Sequence, residues 1–210
     1  MSEGPVTADE TGNWTGAVRR FLERYLPLRH LLPGRQPTYV ASWVYVLGVI
    51  ALASLCWVIL SGIVLSFFGP QWWHVSAVGR FFNSLHFWSV QVFFASMVLH
   101  LWAQYSAAGW RDGRQLTWVV GVVTFVFSIA VAFTGYLSQQ NFDAQWIAVN
   151  AKDAMNASGV GAFFNVLNFG QMYGLHIMLL PLAVVVLVAL HILLVRIRGV
   201  VKPIRRRDRR

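Results

Sequence analysis

The chain has a single cysteine, Cys56, so it forms no internal disulfide and offers no cysteine-based metal site. Acidic residues are scarce, eight against 17 lysines and arginines. More telling is where charge is missing altogether. Four long apolar runs, Trp43–Phe68, 85–108, 116–137 and 172–195, contain no Asp, Glu, Lys or Arg. Each is long enough to cross about 30 Å of hydrocarbon. Lipid offers no hydrogen bonds to a backbone, so runs of this kind must close their own bonds as helices. With 57% apolar and 12% charged residues, the composition excludes an ordinary soluble domain. There is no internal repeat and no low-complexity stretch. The expected fold is all-α, a four-helix transmembrane bundle.

The basic residues are spread unevenly about these runs. Four spans put both termini and the second connection on one side, and the first and third connections on the other. The first side holds 15 of the 17 cations, and the other only Arg80 and Lys152. By the positive-inside rule both termini face the cytoplasm of a bacterial-type membrane. The net charge of +9 is therefore topological and is not read as nucleic-acid binding. Residues 1–38 are polar, lack a signal-peptide core and are expected to be retained. Within them Trp14, Val18, Phe21, Leu22 and Tyr25 alternate with Arg19, Arg20, Glu23 and Arg24, as in a short amphipathic helix on the cytoplasmic surface. Pro33, Gly34 and Pro37 break the chain before the bundle, residues 39–203. A basic tail, 204–210, follows and can touch anionic lipid headgroups.

Polar residues within apolar helices point to function. His86 and His100 lie 14 positions apart on the second run, and His176 and His191 lie 15 apart on the fourth. At about 1.5 Å per residue, each pair is spread over roughly 21–22 Å of helix, with both members near one face. The second and fourth runs point the same way, because the third returns between them. His86 thus comes level with His176 at the outer side, and His100 with His191 at the inner. An isolated intramembrane histidine often bonds a neighbouring helix or relays protons. A proton relay would ordinarily include a buried carboxylate or lysine, and none is present. Paired depths suit two stacked metal centres, for which haem iron with two axial imidazoles is the natural candidate. His30 and His74 fall outside the runs and read as interfacial. Glycines repeat the interval: Gly48 and Gly62 on the first run, Gly121 and Gly135 on the third, are each 14 apart. Any one such position suits close helix packing, but two pairs at the histidine interval make clearance for a porphyrin face the better account.

Taken together, these stretches resemble the N-terminal haem-binding domain of the cytochrome b/b6 family of quinol–cytochrome c and plastoquinol–plastocyanin reductases. The matching residues are Leu85 and His86, Leu99 and His100, Arg114 to Trp118 with Gly121, Thr134 to Tyr136, and Tyr173 to His176 with Pro181. His191 is then followed by Arg196, Gly199 and Pro203. The 15-residue interval resembles the short, split form of the family. The resemblance implies two haem b groups, the outer held by His86 and His176 and the inner by His100 and His191. It also implies Arg114 and Arg196 against the inner propionates, although both equally fit plain positive-inside charge. Val46 stands where the chloroplast-type protein has a haem-attaching cysteine, so no covalent third haem is expected.

Departures gather at the outer side. After Gly135 and Tyr136 the family runs Leu-Pro-Trp, whereas this chain continues Leu137, Ser138, Gln139, Gln140, Asn141, Phe142, Asp143. Asn83 and Gln171 replace arginines that the family sets against propionates, with Arg80 one turn away from Asn83. The resemblance implies a di-haem subunit of a quinol-oxidising complex, with quinone or quinol as substrate. Implied partners are a separate C-terminal cytochrome b chain, a Rieske iron–sulfur protein and a c-type cytochrome, in a dimeric complex. The proton-accepting groups would then lie on partner subunits. The outer departures leave open a di-haem anchor that links a dehydrogenase module to the quinone pool. A haem-free four-helix channel or assembly protein is a third class.

Overall fold

The computed structural model describes residues 21 and 43–201. The expected amphipathic N-terminal helix, the break at Pro33 to Pro37, His30 and the basic tail lie outside the described residues, Phe21 apart. The described residues are helical, without strands: α1 (Trp43–Phe68), α2 (Pro70–Val75), α3 (Ala77–Ser106), α4 (Gln115–Leu137), α5 (Phe142–Ala157), a 3-10 turn (Val160–Ala162), α6 (Phe169–Gly174), a π turn (Leu175–Leu179) and α7 (Leu180–Arg198). α6, the π turn and α7 run on as one span, Phe169–Arg198, which with α1, α3 and α4 makes four helices long and apolar enough to cross a membrane.

Two helices begin earlier than the apolar pattern suggests. α3 starts at Ala77, eight residues before the second run, because Ser76 caps it and accepts a bond from the Gly79 amide at 3.3 Å. Apolarity marks where hydrocarbon begins, whereas backbone bonding continues through the polar Arg80 and Asn83. The same holds at Phe169, where the Asn168 side chain accepts from the Gln171 amide at 2.9 Å. The connection between the third and fourth spans contains a helix of its own, α5. Asn141 caps this helix by accepting from Ala144 at 2.8 Å, and Ala144 and Ala148 bury its inner face.

The bundle leaves large apolar side chains on its outside and mixes small hydroxyl residues with apolar ones inside. Phe67, at 81% exposure, is one of many large apolar side chains left for lipid. Ser54, Ser61, Ser96, Thr124, Ser128 and Thr134 are buried instead. Their hydroxyls return to carbonyls of their own helices, for example Thr124 to Val120 at 2.7 Å and Ser128 to Thr124 at 2.8 Å. Small self-satisfied residues let helices approach where no hydrophobic drive exists between them. α1 packs along α3, and α4 along α7. Leu55, Phe93 and Met97 form one core cluster, and Leu137, Ala148, Val166 and Met172 another beneath α5. Histidines thus sit on one member of each helix pair, glycines on the other.

This topology puts 107–114 and 138–168 on opposite sides. In a Cys56→Ser background, Arg111→Cys and Ser158→Cys should react with a membrane-impermeant maleimide from opposite faces of sealed vesicles. Labelling of both from one face would overturn the four-span arrangement.

Candidate functional site: paired imidazoles between helices

Each histidine ring lies against a glycine of the neighbouring helix. A Cβ built on Gly48 would stand 3.0 Å from His100 Cε1, on Gly62 3.1 Å from His86 Cε1, and on Gly121 3.0 Å from His191 Cε1. At Gly135 the crowding is greatest, with His176 Nδ1 at 2.8 Å and Nε2 at 2.9 Å. The glycine interval expected to clear a porphyrin therefore has a more immediate cause in the structure. Each missing Cβ makes room for an imidazole.

The close approach sets the hydrogen bonds. His86 Nδ1 lies 3.0 Å from the Val58 carbonyl and 3.0 Å from Ser61 Oγ. His176 Nδ1 lies 2.9 Å from the Val131 carbonyl, and His191 Nδ1 lies 3.1 Å from that of Thr117. In all three the acceptor sits four residues before the facing glycine. A carbonyl only accepts, so Nδ1 carries the proton and Nε2 keeps its lone pair. That tautomer is what a metal ligand needs, with its orientation held by the second nitrogen. His100 Nδ1 is buried without a partner among the described residues, although its ring contacts Gly48 as the others contact theirs.

The structure brings the histidines together as the spacing implies. The rings of His86 and His176 face one another with centroids 6.1 Å apart and planes at 89°. At the other depth, His100 and His191 line a cavity of about 620 Å³ with Gly48, Gly121, Arg114 and Arg196. This volume is typical of a small-molecule or cofactor site. Arg114 is buried there. Its Nη2 bonds Asp112 Oδ2 at 3.0 Å, but Asp112 is 76% exposed and Arg114 Nε has no partner among the described residues. An ion pair with one member so exposed contributes about 0–1 kcal/mol, so the guanidinium stays free to meet a stronger anion. Arg198 Nη1 donates to the Gly113 carbonyl at 2.8 Å and ties the end of α7 to the same loop.

At the end that holds His86 and His176 the substituted positions bond to protein groups. Asn83 Nδ2 donates to Gln139 Oε1 at 3.3 Å, and Gln139 Nε2 returns a bond to Asn83 Oδ1 at 3.2 Å. His74 Nε2 lies 3.1 Å from the Gln139 carbonyl. Gln171 accepts from the Asn165 amide at 2.7 Å and donates to the Phe163 carbonyl at 2.9 Å. Arg80, the nearby cation, is exposed. Nothing in the sequence marks the Asn83–Gln139 pair, because its members lie 56 positions apart.

With this geometry in hand, comparison with known proteins is decisive. Residues 91–210 match the sequence profile described as cytochrome b(N-terminal)/b6/petB, over half of the chain. The chain belongs to the cytochrome b N-terminal/b6 family. Cytochrome b6 of Heliomicrobium gestii is 28% identical over 191 residues, covering 80% of this chain and 89% of that protein. Cytochrome b6 of Chlamydomonas reinhardtii is 32% identical over 139 residues, with 60% and 64% covered. A chain of a hyperthermophilic respiratory Complex III superposes with a TM-score of 0.68 at 20% identity, a likeness of fold. It covers 86% of this chain and 55% of that one, so this chain spans about half its length. Family membership implies haem b and, with the four apolar spans, an integral multi-pass membrane protein.

The glycine contacts rank four substitutions. Gly135→Ala, which drives a methyl group into several atoms of His176, should lower haem b per purified chain more than Gly62→Ala, where one ring atom lies within 3.4 Å. Pyridine haemochrome assay measures this. Gly48→Ala and Gly121→Ala should fall between; equal loss at all four positions would contradict the ranking.

Proposed function

We propose that this chain is the di-haem cytochrome b subunit of a bc-type quinol-oxidising complex, with an outer haem b on His86 and His176 and an inner one on His100 and His191. The observation that carries the reading is the facing of His86 and His176, each with Nδ1 bonded to a carbonyl and Nε2 left with its lone pair. The 6.1 Å between ring centroids is about the span of two metal–imidazole bonds of roughly 2 Å plus half a ring at each end. A cavity of about 620 Å³ around His100 and His191, floored by Gly48 and Gly121, suits the second group. Haem b held by these residues would supply one-electron transfer.

The chain's own residues do the rest. Val58, Val131 and Thr117 hold three imidazoles in one tautomer through their carbonyls. The buried guanidinium of Arg114, with Arg196 on the same cavity, offers positive charge to the inner propionates or to a quinone near the inner face. The bundle, 39–203, would sit with both termini toward the cytoplasm, and the segments 1–38 and 204–210 would lie on that surface. Quinol-oxidising partners would be a separate C-terminal cytochrome b chain, a Rieske iron–sulfur protein and a c-type cytochrome, in a dimer. The pairing of Asn83 with Gln139, where the family sets an arginine and a Pro-Trp segment, favours a second reading in which the outer electron donor is a dehydrogenase module.

Single substitutions test the ligand pairing. His86→Ala and His176→Ala should each remove the same haem from the reduced-minus-oxidised spectrum, and His100→Ala and His191→Ala the other. Loss of one common centre from His86→Ala and His191→Ala would overturn the assignment.

A further inference from the structure

The two histidine pairs are spaced unequally, yet the structure sets them level. Gly121 and Gly135 are 14 residues apart on α4, and they meet His191 and His176, which are 15 apart on the last span. His86 and His100, on the uninterrupted α3, are 14 apart and meet Gly62 and Gly48, also 14 apart. In a regular α-helix one extra residue adds about 1.5 Å of rise and about 100° of rotation. Such a turn would carry the His176 ring off Gly135 and away from His86. The last span therefore contains one residue more than the height it covers.

The structure shows where that residue goes. Leu175–Leu179, with His176 inside it, is a π turn, closed by a bond from the Leu180 amide to the Leu175 carbonyl five residues back. A π turn of this kind takes up a single extra residue within an α-helix. Pro181 follows at once, near the start of α7. It has no N–H to donate back to the Ile177 carbonyl, and its ring crowds that carbonyl in a regular helix. The local sequence thus favours the wider turn at this point. Met178, at 71% exposure, lies on the outside of the bundle.

We infer that the π turn, located by Pro181, is a positioning device: it absorbs the extra residue of the last span and so aims His176 at His86. The inference rests on the haem reading above and names the residues that orient the outer ligand. Deleting Met178 together with Pro181→Ala should convert 169–198 to a regular helix with the histidines 14 apart, and both haems should be kept. Deleting the lipid-facing Val92 from α3, which has no π turn to give up, should take the count from two haems to one. Difference spectra and pyridine haemochrome on purified protein read both. A wild type without haem would fail the haem reading itself. A wild type with two haems and a double variant with one would overturn the positioning role alone. Pro181→Ala by itself, a milder change, should keep two haems and shift the low-spin EPR signal of one. Two unchanged EPR signals would overturn Pro181 as the residue that places the turn.

Discussion

Everything at the centre of this protein depends on an imidazole whose Cε1 edge meets a helix that has no side chain in its way. A glycine removes the Cβ, the ring takes the space a Cβ would need, and Nδ1 reaches the carbonyl four residues earlier at three of the four sites. That carbonyl already accepts a bond from its own helix and offers its second lone pair to the ring. One substitution in the partner helix thereby settles position, rotation and tautomer of a potential ligand. The arrangement recurs at all four histidines in contact, and at three of them in hydrogen bonding.

Burying four neutral imidazoles in a bilayer is costly unless each finds partners, and the helix pairs are organised to supply them. Glycines and hydroxyl residues line the interior of α1 and α4, while bulk apolar side chains face lipid. The two ends of the bundle then diverge in chemistry. The end with His100 and His191 keeps cations on its cavity, with a buried Arg114 held weakly enough to meet an anion. The end with His86 and His176 carries amides instead, which bond to one another, Asn83 with Gln139, and to loop backbone through Gln171. Amides joined this way tie α3 to the end of α4, but offer a negatively charged group much less than an arginine would.

Much of this was legible in the residues themselves. Absence of charge over more than 20 positions defines each span, because lipid tolerates so little of it. The depth of the histidines follows from counting along helices whose directions alternate. The glycine interval was also visible, but its cause was not, since periodicity does not say which atoms meet across an interface. Helix ends were displaced because caps such as Ser76 and Asn168, not hydropathy, decide where backbone bonding starts. α5 could have been found from the Asn141 cap with Ala144 and Ala148 at helical interval. The π turn left only a trace, a 15-residue interval beside three of 14 with Pro181 near its start, and the Asn83–Gln139 pair left none.

The most direct test of the account is the number and spin state of haem b groups on the intact chain purified from membranes. Two haems per chain, both low-spin by EPR as two nitrogen ligands require, is the result the four glycine-seated histidines predict. A chain with no haem, or with a single high-spin centre, would contradict it.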